Sequence, residues 1–535
     1  MKSSKMLLIK NINLIDGRNN PSFKSDILVV GEKIAKIGKI DIDASGVEII
    51  DGEGLYAAPS FIDSHSHSDM ICAFKPYADG KIRQGVTTEV AGMCGMSPAP
   101  IKNFREEFYG VSFGNNSEYK KIADNWSTFK DFKDHVNNAG LPIDMFTLVG
   151  HGTLRAAVIG YADRAVNSAE LEQMKDLLEE ALQNGAIGLS SGLIYPPGVY
   201  ANTYELIELC KVVAKYNGIY VTHMRNEADK VIEAVEEAIE IGEKSGCRVQ
   251  ISHHKAGGKR NHGKVVTTLN LMEEARLRGV EISCDAYPYT AGSSSLVTLL
   301  PPWVHEGGAE KILARLKNSE TRAAIKAEVG STDTPWENMG MNAGWAGILI
   351  CNLTKNKDYE GLNLQELGDK LGKDPIDALF DLLIDENGDG QMAHFNAKDE
   401  DNHYVYRHRL SVAGSDSAND YFEVSADSGK PHPRTFGTFP RVIGHYSREL
   451  KLFSVETAVH KMTGLAASIY NLKDRGILAE NLLADIVIFD YDTIIDKATY
   501  KNPHQPPEGI KYVIKNGEIV VKDDVYNKSH LGKLL

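Results

Sequence analysis

The segment FIDSHSHSDM, residues 61–70, carries two histidines one residue apart, His65 and His67, at the end of a short apolar run. Side chains alternate faces along a strand, so this spacing puts both imidazoles on one side, where they can share a metal ion. In a chain with 17 histidines the pair alone decides nothing. Its company is more telling. IYVTH ends in His223, RVQISHHK offers His253, His254 and Lys255, EISCDAYPY supplies Asp285, Tyr287 and Tyr289, and LSVAGSD supplies Asp416. The alternation rule sets His253 and Lys255 on one face and His254 on the other. Cys94 lies between Gly92 and Gly95 in AGMCGMSPAP, where no apolar stripe calls for a thiol. Strand-end histidines, a glycine-flanked cysteine and a strand-end aspartate make an N/S/O donor set that suits zinc, whereas magnesium and calcium want oxygens.

Such residues need a scaffold that gathers strand ends. From about residue 59 to 471, strand-like runs alternate with helical ones: MFTLVGHG then AELEQMKDLLEEALQNG, IYVTHMRNE then DKVIEAVEEAIEIGEKSG, RVQISHHK then VVTTLNLMEEARLRG. Leu171, Met174, Leu177, Leu178 and Ala181 have helical spacing, and Gly185 stops the run. Repeated βα units predict an α/β fold, a (β/α)8 TIM-like barrel whose C-terminal rim carries the active site. The alternation fails over about 291–346, through PPWVHEGG and TPWENMGMNAGWAG. A stretch that long beyond a strand end reads as an inserted lid. Residues 1–58 and 472–535 read instead as short alternating strands, LLIKNINLID and ADIVIFDYD among them. They predict one small β-sandwich built from both chain ends.

At 535 residues the chain exceeds one ordinary core, and its 42% hydrophobic and 25% charged content is that of a globular protein. A formal net charge of −14 without a basic block argues against nucleic acid and leaves a small molecule as the expected partner. The apolar run Met6–Ile9 is too short for a signal-peptide core or a membrane span, so a cytoplasmic protein is expected. Cys72, Cys210, Cys247, Cys284 and Cys351 lie in or beside apolar segments and read as small buried residues. Composition leaves the oligomeric state open.

The segments FIDSHSHSD, AGMCGMSPAP, VGHGTLR, GAIGLSSGLIYPPGVYA, YVTHMRNE, ISHHK, DAYPYTAGSS, GSD and HPRTFGTFPRVIG, in this order, resemble the D-aminoacylases (N-acyl-D-amino-acid deacylases) of the amidohydrolase superfamily. The resemblance spans nearly the whole chain. It implies zinc-dependent hydrolysis of N-acyl-D-amino acids, with Cys94 in the bridging place that a carboxylated lysine holds in hydantoinases. It further implies one zinc held tightly by Cys94, His223 and His253. His65, His67 and Asp416 then line a second position, weakly filled or empty. Asp416 is implied as general base and acid, Arg434 with Lys255, Tyr287 and Ser293 as a clamp for the substrate carboxylate, and Tyr195 as a contact near the acyl group. Two departures from the family pattern are Ser60, where glycine usually precedes FID, and Glu480-Asn481, where Glu-Gly is common. Rival readings are opening of a cyclic amide, cleavage of a D-residue dipeptide, or a catalytically silent binding barrel. Side-chain preference stays open, since Trp303, Trp336 and Trp345 fit either an apolar pocket or the lid's own core.

Overall fold

The computed structural model describes residues 5–43, 45–113, 117–424 and 428–535. Strands from the two chain ends form one nine-stranded sheet. The join is the strand Ile486–Phe489, which runs antiparallel to Tyr56–Pro59 on one side and to Ile510–Lys515 on the other. Ile9, Ile12, Ile27 and Val29 from the first end meet Ile486, Ile488 and Ile514 from the second in one apolar core. Burying that shared face is what holds the two ends together.

Between them, parallel strands lie in two sheets. Phe61–Asp63, Val86–Ala91 and Asp144–Thr147 make the first. Val149–Gly150, Gly188–Gly192, Ile219–His223, Arg248–Ile251, Ile282–Ala286 and Ser411–Ala413 make the second, in that order. Backbone bonds link the sheets at both edges: Ile187 N donates to Thr147 O (3.0 Å), and Ser64 N donates to Ala413 O (3.4 Å) beside a Ser66–Ser417 bridge. The strands Val86–Ala91, Gly188–Gly192 and Ile282–Ala286 are buried throughout, as parallel strands covered on both faces must be. The covering helices follow their sequence signals. Ser168–Gln183 starts at an Asn167–Glu170 capping box and buries Leu171, Met174, Leu178 and Ala181, while Val231–Ser245 stops at Gly246 in the left-handed conformation.

The excursion expected over 291–346 runs much further. Ile282–Ala286 pairs next with Ser411–Ala413, and the chain between them builds a unit of its own. The strand Ala291–Ser295 finds its partner only at Gln391–Phe395, which also pairs with Ile348–Asn352. Helices Gly308–Lys317, Ser319–Val329, Leu364–Leu371 and Pro375–Asp385 pack with them around Leu299, Leu316, Ile325, Phe380 and Leu383. Trp303 and Trp345 pack against this core, and the indoles of Trp303 and Trp336 both donate to Glu328 (2.9 and 2.7 Å). Among the described residues no helix is long and apolar enough to cross a membrane. All six cysteines are free and buried.

Phe380 is fully buried in the insertion's core. Phe380→Ala is expected to cost about 3–5 kcal/mol and to appear first as faster limited proteolysis within residues 296–390. Unchanged proteolysis would mean that this core does not hold the insertion together.

Candidate metal centre

The first site loop departs from the strand expected for it. The strand Phe61–Asp63 ends before the histidines, so His65 and His67 sit in the turn that follows it. Asp63 fixes that turn: its Oδ1 accepts from Ser415 N (2.8 Å) and His65 N (3.2 Å), and its Oδ2 pairs with the buried ammonium of Lys81. Asp416 N donates to His65 O (2.8 Å), which ties the two loops together. His253 and Lys255 likewise lie past the end of Arg248–Ile251, yet they share a side as expected, with Lys255 Nζ 3.0 Å from His253 Nδ1. His254 turns away to Thr268 Oγ1 (2.8 Å).

The loop carrying Cys94 is pressed onto the strand Gly188–Gly192. A Cβ on Gly192 would stand 2.1 Å from Cys94 O, and one on Gly95 2.5 Å from Gly192 N, so both positions exclude any side chain. Cys94, His253 and Asp416 all adopt positive φ (53°, 34° and 52°). Each such residue costs on the order of 1–3 kcal/mol, and such strain gathers where side chains must be aimed.

The aimed atoms converge. Cys94 Sγ lies 3.5 Å from His65 Nε2 and 3.4 Å from His253 Nε2. Asp416 Oδ1 lies 3.0 Å from His67 Nε2 and 3.4 Å from His65 Nε2. Two donor groups result, His65/His67/Cys94/Asp416 and Cys94/His223/His253, each with all ligand atoms within 4.8 Å of one another. Cys94 belongs to both. Ligands about 2.0–2.3 Å from a tetrahedral zinc stand about 3.5 Å apart, so the observed spacings fit a bound ion. His223 adds a second sign of fit: it is buried, and among the described residues neither ring nitrogen makes a hydrogen bond, Nε2 lying 3.7 Å from Glu227 Oε2. A buried polar group without a partner is costly unless something else takes it up.

Carboxylates behind the histidines set their orientation. Asp285 Oδ1 contacts His65 Nδ1 (3.0 Å) and accepts from His253 N (2.7 Å). Glu227 Oε1 contacts His253 Nδ1 (2.8 Å), and its Oε2 accepts from Lys255 Nζ (2.7 Å). Engaging Nδ1 leaves Nε2 free for the cluster. Charge follows geometry. Burial raises the Cys94 thiol, but His65 and His253 outweigh this and bring it well below its ordinary value. Burial pulls His67 down, yet Asp416 and Cys94 lift it to about 9. Burial and Lys255 pull His253 down, and Glu227, Asp416 and Cys94 lift it to about 9. The Cys94 thiolate is thus buried against positive charge, which a metal cation can also supply.

Around the donors stand the expected substrate contacts. The Tyr287 ring lies between two cations, 5.7 Å from Lys255 Nζ and 4.6 Å from Arg434 Cζ. Arg434 Nη1 also pairs with Asp416 Oδ2 (2.7 Å). Tyr195 packs edge-on to His223 at 4.9 Å. Ser293, half-buried on Ala291–Ser295, makes no hydrogen bond with Lys255, Tyr287 or Arg434 among the described residues. Glu227, the last residue of YVTHMRNE, and Asp285 in EISCDAYPY are both acids close to strand ends. The signal was there, since an acid beside a metal-binding histidine is its usual orienting partner.

The amidohydrolase family model matches residues 48–326 and 406–521, leaving out most of the insertion. A D-aminoacylase of Alcaligenes xylosoxydans xylosoxydans is 35% identical over 529 residues, covering 99% of this chain and 97% of that protein. An N-acyl-D-aspartate deacylase of the same organism is 34% identical over 96% of this chain and 91% of its own. Among solved structures, a D-aminoacylase studied for its binuclear metal centre superposes with a TM-score of 0.81 at 33% identity, covering 99% of both chains. The N-acyl-D-glutamate deacylase of Bordetella bronchiseptica, solved with zinc and a phosphonate inhibitor, gives 0.81 at 30% over the whole of both. These matches define an α/β amidohydrolase of TIM-barrel type with an extra domain. The chain belongs to the amidohydrolase family and, within it, to the D-aminoacylases.

Because both donor groups share Cys94, Cys94→Ala is expected to leave almost no bound metal after dialysis, measured by elemental analysis. Asp285→Ala is expected to weaken metal binding by about 10–100-fold. Full metal retention by Cys94→Ala would exclude the thiolate as a ligand.

Proposed function

We propose that the chain hydrolyses the amide bond of N-acyl-D-amino acids, releasing a carboxylate and a free D-amino acid. Its scaffold on this reading is a (β/α)8 barrel of residues 59–471, with the insertion as a lid and residues 1–58 and 472–535 as the small β domain. One observation carries the reading. Buried His223, whose ring makes no hydrogen bond among the described residues, shares a donor group with Cys94 and His253, beside the Lys255–Tyr287–Arg434 cluster. The similarity to deacylases of D-amino acids supports it.

Cys94, His223 and His253 would hold zinc tightly, and His65, His67 and Asp416 line the second position. Zinc bound there supplies Lewis acidity toward the scissile amide and its attacking water. Burial works against the charge on Asp416, but Arg434, His253 and His65 hold the carboxyl well below its ordinary value, so it stays ionised and carries no proton of its own. It takes a proton from the attacking water and returns it to the leaving amine nitrogen. Arg434 and Lys255, with Tyr287 and Ser293, receive the substrate carboxylate. A guanidinium has five N–H donors, so Arg434 can serve this carboxylate and Asp416 together. Tyr195 faces the acyl side, its phenol kept protonated by burial and by the Cys94 charge. Six free, buried cysteines agree with a cytoplasmic location.

The test is amino-acid release from matched N-acetyl-D- and N-acetyl-L-amino acids by zinc-loaded protein. Release confined to the D series is expected; none from either series would sink the proposal. Asp416→Ala is expected to abolish turnover while the tightly bound zinc stays. Arg434→Lys is expected to raise KM by at least about tenfold, because an ammonium cannot reproduce the planar fork. An unchanged KM would remove Arg434 from the clamp.

A further inference from the structure

A cavity of about 220 Å³ opens between the strand-end loops, which contribute Ile194, Val199 and Arg225, and the insertion, which contributes Leu300, Glu337 and Met339. Whole small-molecule sites occupy roughly 300–1,000 Å³, so this one has room for a single arm of a ligand. A chain of contacts to the carboxylate clamp points to the arm. Glu337 Oε2 accepts from Glu227 N (2.5 Å), and Glu227 in turn pairs with Lys255 of the carboxylate clamp. In an N-acyl amino acid the group sharing a carbon with the carboxylate is the side chain, whereas the acyl group lies across the scissile bond.

The charges in the wall are unequal. Arg225 is already engaged: it pairs with Glu237 through two nitrogens (3.0 and 2.9 Å) and donates to Val199 O (3.2 Å). His305, also in the wall, is pushed down by burial to about 4 and is neutral at pH 7. Glu337 differs from both. It is buried, Oε2 accepts from the Glu227 backbone, and among the described residues no cation forms an ion pair with it, Lys255 and His253 acting on it only from further away. An anionic side chain entering this cavity meets the Glu337 carboxyl group and, among the described residues of the wall, no cation whose charge is not already balanced by a carboxylate. A neutral one meets apolar wall and one acceptor.

We propose that the cavity receives the side chain of the D-amino acid and that Glu337 sets its specificity, admitting uncharged side chains and turning away acidic ones. The inference rests on the amide-hydrolysis reading and separates this chain from relatives that act on N-acyl-D-aspartate or N-acyl-D-glutamate. Specificity of this kind comes from what a site repels as much as from what it attracts.

The test is calorimetric binding of D-glutamine and D-glutamate to zinc-loaded protein, alongside kcat/KM for their N-acetyl forms. The pH is 8.5, above the value near 7 to which burial and Glu227 push Glu337. D-Glutamine is expected to bind at least about tenfold more tightly than D-glutamate, because juxtaposed like charges are strongly disfavoured. In Glu337→Gln, which keeps an acceptor for Glu227 N, the ratio is expected to fall below about threefold. Thr298→Lys places a cation in the same wall and is expected to favour D-glutamate even if Glu337→Gln does not fold. Equal binding in the wild type, an unchanged ratio in Glu337→Gln, or no gain for D-glutamate in Thr298→Lys would each overturn the inference. Discrimination in binding without any hydrolysis would sink the amide-hydrolysis reading and leave standing only the cavity's preference for uncharged side chains.

Discussion

The interaction on which the rest depends is a thiolate buried among imidazoles. Cys94 Sγ is within 3.5 Å of both His65 and His253, and it belongs to both donor groups. A thiolate and the Asp416 carboxylate taken out of water together are expensive without positive charge beside them. The fold meets that cost in layers. Imidazoles and the Arg434 guanidinium stand next to the anions, and Asp285 and Glu227 hold the imidazoles in place. Much of the surrounding architecture follows from that need: glycines that let the Cys94 loop touch Gly188–Gly192, positive φ at three donor residues, and Asp63 with Lys81 bracing the loops of His65 and Asp416.

The insertion has a core of its own and meets the site loops at several points: Glu337 accepts from the Glu227 backbone, Gly258 N donates to Asn396 O, Tyr200 Oη donates to Pro302 O, and Ile194 packs against the insertion's core. That arrangement separates two tasks. On the proposed reading the parallel-strand scaffold holds the metal ligands, and the inserted unit shapes the space where substrates differ. The amidohydrolase family model skips residues 327–405, which is the part expected to change as substrate preference changes.

The site was more legible in the sequence than the elements bearing it. Donor types and their chain order could be read directly, because ligands set at strand ends keep their character whatever the loop geometry. Alternation along a strand was a weaker guide. His65, His67 and His253 lie past their strand ends, and His253 with φ of 34° is not extended at all. The insertion was underestimated because Ala291–Ser295 pairs with Gln391–Phe395, a partner a hundred residues away that no local pattern announces. Glu337 was illegible for the same reason, since it lies in an irregular stretch whose neighbours come from another loop. The Glu480-Asn481 departure has a local explanation: Asn481 sits at φ 72°, a conformation that asparagine adopts after glycine most readily.

The central claim, a zinc ion held through the Cys94 thiolate with His223 and His253, is tested most directly by zinc K-edge X-ray absorption on protein carrying one equivalent of zinc. The account predicts one sulfur at about 2.3 Å and nitrogen or oxygen ligands at about 2.0–2.1 Å, with the sulfur contribution lost in Cys94→Ala. A spectrum fitted by nitrogen and oxygen alone in the unmodified protein would contradict it.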